Sequence, residues 1–268
     1  MPHFDKYIHL TDTHLVQDGN GLLYGLNPKQ RLQQAVAHIQ QHHADARAVF
    51  ITGDLTHYGH EQAYVHLREC LSGLSMPVYP ILGNHDSRNN FQQHFAHIAR
   101  DEHGFVQYVL ELEHQTAIFL DTNEPGVHWG VFCEKRALWL RAQLEQANKP
   151  VLLFMHHPFF PIGITSMDKI SLLNTKPFET AIEGLQHKIA HFFFGHIHRP
   201  ILGSFKGIPY STLRGTNHQV ALVLQDPSLR IVGKNEGPQY GVLMLSPEQV
   251  LIHLEDFLDQ EPTYLLGG

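Results

Sequence analysis

Pro77-Val78-Tyr79-Pro80-Ile81-Leu82-Gly83-Asn84-His85-Asp86 is an apolar run of strand length that stops at a glycine and three polar side chains. A short apolar run bounded by a turn signal reads as a buried strand. Glycine lets the chain turn sharply off its end. In an open α/β sheet, ligands bind beyond the carboxyl ends of the strands, so Asn84, His85 and Asp86 stand where a site is built. Taken alone, the pattern describes a simple turn equally well, because Asn accepts left-handed backbone and starts helices.

The same layout recurs on both sides. Upstream, Ala48-Val49-Phe50-Ile51-Thr52 runs into Gly53-Asp54, and a strand from Tyr7 runs into Asp12-Thr13-His14. Downstream, Val151 to Met155 ends at His156-His157-Pro158, and Ile189 to Phe194 ends at Gly195-His196-Ile197-His198. Strand alternation predicts that Asp12 and His14 share a side, and likewise His196 and His198.

Between these runs, apolar residues recur at helical spacing. Asn27-Pro28 reads as a cap and first helical residue, followed by Leu32, Val36 and Ile39 in a helix that ends near Ala44. Further helices are predicted over 61–74, with Tyr64, Leu67 and Leu71 inward, over 91–100, over 133–147 with Leu138, Leu140 and Leu144, and over 177–188. Paired strands are predicted over 105–113 and 116–121. Strands over 201–205 and 219–224 and a hairpin of 242–245 with 250–255 close the chain. The segment 159–173 is long enough to wall a pocket. Strand and helix alternate without a charged linker or repeat, which predicts an α/β fold in one domain over residues 1–268.

Composition narrows the function. The 268 residues carry a net charge of −7 and no block of Lys or Arg, so the electrostatic footprint of a protein that binds long nucleic acid is missing. No apolar stretch approaches the roughly 18 residues of a membrane helix. Met1 to Lys6 shows no signal-peptide pattern, and Cys70 and Cys133 fit no zinc or redox motif. The expectation is a cytoplasmic protein without a membrane partner, with both cysteines as buried thiols on helices. Of the 23 histidines, those on helical stretches (His38, His42, His43, His94 and His97) are expected in solvent.

Five strand ends thus carry metal-ligand residues: Asp12 with His14, Asp54, Asn84 with His85, His156, and His196 with His198. Carboxylate, amide oxygen and imidazole without thiolate suit Mn, Fe, Zn or Co. Eight such residues are too many for one ion, whereas two ions sharing a carboxylate would use most of them comfortably. Two ions about 3.5–4 Å apart are the arrangement that cleaves phosphoesters.

Asp-x-His, Gly-Asp, Gly-Asn-His-Asp, His-His-Pro and Gly-His-x-His, in this order, resemble the calcineurin-like metallophosphoesterases. Met155 to Pro158 followed by Gly163 and Met167-Asp168, then Ser211-Thr212-Leu213 and Gly215 to Gln219, is similar to the branch of class III cyclic-nucleotide phosphodiesterases and bacterial glycerophosphodiesterases. The resemblance implies a four-layer α/β/β/α sandwich and two divalent metals, with Mn or Fe favoured. Asp12, His14, Asp54 and His198 would hold the first metal. Asp54, Asn84, His156 and His196 would hold the second.

By the same resemblance, His85 is the general acid, and the substrate is a small phosphodiester attacked by hydroxide generated at the metals. His218 belongs near the substrate, His157 supports structure, and Asp86 either orients His85 or caps the next helix. Phe159 and Arg214 depart from the branch's usual prolines and are expected to line the pocket. Two divalent ions offset by Asp12, Asp54 and one hydroxide leave a single positive charge, which a diester monoanion neutralises. A phosphomonoesterase, a nucleotide pyrophosphatase and a scaffold that has lost catalysis remain alternatives. Relatives often self-associate, which implies a homo-oligomer with the C-terminal strands as an interface.

Overall fold

The apolar runs form two large sheets, beside a small two-stranded one, in the computed structural model, which describes residues 4–266. In chain order come β1 (Asp5–Leu10), α1 (Pro28–His42), β2 (Val49–Thr52), α2 (Glu61–Leu71), β3 (Val78–Ile81) and α3 (Arg88–His94). Then follow β4 (Tyr108–Glu111), β5 (Thr116–Phe119), α4 (Glu134–Gln146), β6 (Val151–Met155), α5 (Thr165–Asp168), α6 (Lys176–Ile182) and β7 (Ile189–Phe194). The last strands are β8 (Ile201–Phe205), β9 (Ile208–Thr212), β10 (Gln219–Val220), β11 (Gly233–Lys234), β12 (Tyr240–Leu245) and β13 (Val250–Glu255).

The first sheet has the order β13-β12-β1-β2-β3 and the second β4-β5-β6-β7-β9-β8. Parallel pairing of β1 with β2 and β2 with β3, and of β5 with β6 and β6 with β7, puts their carboxyl ends at one edge of each sheet. Phe50 of the first sheet meets Phe119 and Phe154 of the second with ring centroids 5.2 and 5.1 Å apart, so the sheets pack face to face. Period-two alternation sends Ala117, Phe119, Leu152 and Phe154 into that interface. Their neighbours Ile118, Leu153 and Phe192 point outward, onto Leu140 and Leu144 of α4 and Phe178 of α6. Leu32 and Ile39 of α1 and Tyr64 and Leu67 of α2 pack into the same core as the first sheet.

Several local expectations shift. Ser87 accepts a hydrogen bond from the Asn90 amide and starts α3 at Arg88, ahead of the predicted 91. Leu138 is 68% exposed; Ala137, Leu140 and Leu144 form the buried stripe of α4. Cys133 is the half-buried residue before α4, while Cys70 is buried on α2 as predicted. His38 is tied down by a 2.7 Å contact between its Nδ1 and the Tyr240 hydroxyl. Only Gln219–Val220 of the segment 219–224 is a strand; Leu222 and Leu224 are exposed. No helix among the described residues is long and apolar enough to cross a membrane.

Candidate metal centre

The five strand ends meet. Strand β1 stops at Leu10, and Asp12 and His14 then adopt left-handed backbone with φ of 53° and 48°. Asp54, His196 and His198 do the same at 48°, 68° and 50°. Asp and His tolerate this region better than most non-glycine residues. The residues of each pair therefore do share a side, but through strained turns and not through the strand alternation predicted. Such strain persists only where surrounding structure over-determines it. Here the surroundings are close: a Cβ on Gly83 would lie 2.2 Å from Asp54 Oδ1, so only glycine lets β3 pass the carboxylate.

Asp12, His14, Asp54 and His198 bring one ligand atom each within 4.8 Å of one another, all buried. His14 Nε2 lies 3.6 Å from Asp54 Oδ2 and 3.0 Å from His198 Nε2. His198 Nε2 is 3.2 Å from Asp12 Oδ1, and His156 Nε2 is 3.4 Å from Asp54 Oδ2. His156, His157 and His196 form an adjoining buried group.

The imidazoles are pre-oriented by their far nitrogens. His156 Nδ1 lies 2.7 Å from the Thr52 carbonyl oxygen, and His198 Nδ1 lies 2.8 Å from that of His218. An Nδ1 that donates to a carbonyl leaves Nε2 as a lone-pair donor in the neutral ring, the usual arrangement of a metal-ligating histidine. The bare Nε2 atoms of His14 and His198 then face each other beside two carboxylates, a geometry that calls for a cation. Asn84 Oδ1, His156 Nε2 and His196 Nε2 are buried and without hydrogen-bond partners. Residues and group fit: the donor set is oxygen and imidazole, and its open atoms are buried without partners.

Charge tells the same story. Burial pushes His14 and His196 well below the usual histidine range, so both are neutral donors. Burial also opposes protonation of His156, but the Asp54 carboxylate outweighs it and raises the pKa to about 9. A proton held there by Asp54 is what a metal ion displaces on binding.

His85 lies beside this cluster, not in it. Its backbone amide donates to Asp54 Oδ1 at 2.9 Å, and its ring Nδ1 lies 2.8 Å from the His57 carbonyl oxygen, which leaves Nε2 unengaged. Asp86 fits neither expectation made for it. Ser87 caps α3, and the Asp86 carboxylate accepts from the amides of Leu55, Thr56 and Gly83 and the hydroxyls of Thr56 and Tyr64. It binds the loop after β2 to the loop after β3. Burial, and then the nearby Asp54 carboxylate, push its pKa up to about 6 against the pull of those amides.

His218 lines the cavity over the cluster, its ring centroid 4.5 Å from that of His198. His157 Nδ1 is 2.7 Å from the Thr122 hydroxyl and its Nε2 3.3 Å from the His128 carbonyl oxygen, so both nitrogens are engaged. Phe159 and Arg214 do not line the cavity. Phe159 is buried among core aromatics, and Arg214 pairs with Asp256 at 2.9 Å and Glu236 at 3.2 Å. Sequence reasoning missed His57, His128 and Tyr24, which line the cavity. Only His57, three residues after Asp54, had a positional signal. The cavity, about 600 Å³, is walled elsewhere by Met167, Ile170, Val220 and Ile231.

The chain is similar to a probable cyclic nucleotide phosphodiesterase of Rhodopseudomonas palustris, 41% identical over 97% of this chain and 96% of that one. It is 29% identical to a probable glycerophosphodiester phosphodiesterase GpdQ of Arcobacter nitrofigilis, over 86% and 94% of the two chains. A purple acid phosphatase from yellow lupin (Lupinus luteus) seeds shares the fold, with a TM-score of 0.65 and 13% identity, over 100% of this chain and 58% of that one. The calcineurin-like phosphoesterase family model matches residues 6–200, across all five ligand-bearing strand ends, and the chain belongs to that family.

Proposed function

We propose that this protein is a phosphodiesterase that holds two divalent metal ions and hydrolyses small phosphodiesters, with cyclic nucleotides or glycerophosphodiesters as substrates. The observation that carries the reading is the buried Asp12, His14, Asp54 and His198 cluster, with His156 Nε2 3.4 Å from Asp54 and with Asn84 Oδ1, His156 Nε2 and His196 Nε2 buried and unpartnered on the other strand ends. Asp12, His14, Asp54 and His198 would hold one ion and Asp54, Asn84, His156 and His196 the other. Ions bound there supply an activated water and neutralise the phosphate oxygens of an in-line displacement.

The residues do the rest. His85 presents Nε2 to the leaving alkoxide and gives it a proton, the part of a general acid. Its Nδ1 lies 2.8 Å from the His57 carbonyl oxygen, which holds one edge of the ring and leaves Nε2 free. Tyr24, 62% exposed with its ring centroid 4.6 Å from that of His218, offers the leaving group an aromatic face at the cavity mouth. Met167, Ile170, Val220 and Ile231 give an apolar wall and exclude water. The names of the two bacterial relatives favour a diester over a monoester.

The test compares metal-loaded enzyme on cyclic AMP, glycerophosphodiesters, bis(p-nitrophenyl) phosphate and p-nitrophenyl phosphate. The reading expects the diesters to react with the higher kcat/KM. A preference for the monoester sinks it.

A further inference from the structure

The three imidazoles nearest the two carboxylates are not anchored alike. His156 and His198 rest on main-chain carbonyls, those of Thr52 and His218. The Nδ1 of His14 instead lies 3.1 Å from a side-chain atom, Nδ1 of His57. With His14 Nε2 turned toward Asp54 and His198, the proton of a neutral His14 sits on Nδ1 and donates to His57. The same His57 touches His85 twice. Its carbonyl accepts from His85 Nδ1 at 2.8 Å, and its ring lies on the His85 ring with centroids 4.7 Å apart and planes 15° from parallel. His57 is only 7% exposed, and its own amide is pinned to the Leu15 carbonyl at 2.9 Å. Its backbone is therefore set independently of its side chain.

We propose that His57 is a positioning residue serving two partners: its ring nitrogen aligns His14 as a metal ligand, and its ring face holds His85 in place as proton donor. The proposal rests on the metal-dependent reading of the site. Its physical content is that the two functions leave by different parts of one side chain. A hydrogen-bond partner on the far nitrogen of a ligating histidine fixes ring orientation and ligand basicity, and losing one lowers metal affinity by roughly 10–100-fold. Misplacing a reacting group by about an ångström costs up to roughly 100-fold in rate.

Substitution separates the two parts. In His57→Asn the amide oxygen stands where Nδ1 was and still accepts from His14, but the ring face is gone. In His57→Phe the ring face remains, but the acceptor is gone. Mn²⁺ affinity is measured by competition with a fluorescent chelator, without reference to turnover. Alignment of His85 is read from the ratio of rates on a glycerophosphodiester and on bis(p-nitrophenyl) phosphate, because only the poor leaving group needs the proton.

The expected result is a crossed pattern. His57→Asn keeps its affinity and loses about tenfold or more in the rate ratio; His57→Phe keeps the ratio and loses about tenfold or more in affinity. His57→Ala loses both. Two variants that lose both properties together, or His57→Ala binding Mn²⁺ like the parent, overturns the proposal. Failure of the parent protein to bind Mn²⁺ or to hydrolyse any diester strikes the underlying function instead, so the two failures are told apart.

Discussion

His85 and Asp54 are joined by a hydrogen bond of 2.9 Å from the backbone amide of the first to Oδ1 of the second. The loop that carries the proposed proton donor is thus fastened to the carboxylate proposed to serve both metals, and the other Asp54 oxygen remains toward His14 and His156. Replacing His85 with Ala keeps this bond, because it uses the main chain, and removes only the imidazole. The expected loss is about 10²–10⁴-fold in kcat on glycerophosphodiesters. On p-nitrophenyl esters, whose leaving group needs no proton, the change should be much smaller. Equal losses on both substrates would remove the proton-donor role.

Asp86 makes a different prediction, since its five hydrogen bonds are structural. Asn at this position keeps one acceptor oxygen and turns an NH₂ group toward backbone donors. Leaving buried donors unmet costs about 1–3 kcal/mol in stability, offset in part because a neutral side chain relieves the burial and Asp54 repulsion that raise the Asp86 pKa. The urea midpoint of Asp86→Asn should fall accordingly, and a change under about 0.5 kcal/mol would contradict the account.

Two histidines away from the centre make stability depend on pH. Burial lowers the pKa of His9 to about 3 and that of His191 to about 4, from the ordinary 6.5. Each folds neutral, with Nε2 2.9 Å from the hydroxyl of Thr52 and of Ser211 respectively. Because both folded values lie below the unfolded one, the unfolded chain binds more protons as pH falls below 6.5. Stability is then whole above pH 6.5 and is lost progressively toward pH 4, by at most about 1.4 kcal/mol per pH unit for each group. Gln replaces Nε2 in place, so the His9→Gln, His191→Gln double variant should show a shallower slope of stability against pH in this interval. Metal-free protein and urea melts at several pH values provide the check; an unchanged slope contradicts it.

The strand ends were legible because each ligand must sit where an apolar run stops, and runs such as Val151–Met155 and Ile189–Phe194 mark their own ends. The conformation that delivers those ligands was not. Alternation accounts for Asp12 and His14 as though the strand continued, whereas β1 ends at Leu10 and positive φ values turn both side chains inward. The hub at Asp86 and the junction at His57 were hidden because their partners come from other loops: Tyr64 and Leu55 for one, His14 and His85 for the other. Nothing local marks those meetings. Leu138 misled for the converse reason, since helical spacing fixes a stripe only when the centre of that stripe is known, and Leu140 with Ala137 sets it here.

Metal stoichiometry measured alongside turnover tests the central claim most directly. Protein stripped with chelator is titrated with Mn²⁺ while bound metal and hydrolysis of cyclic AMP are followed together, for the parent and for Asn84→Ala. Two ions per chain in the parent, activity restored only as the second binds, and one ion with little activity in Asn84→Ala is the predicted result. Full activity in the stripped protein, or in Asn84→Ala carrying a single ion, would contradict it.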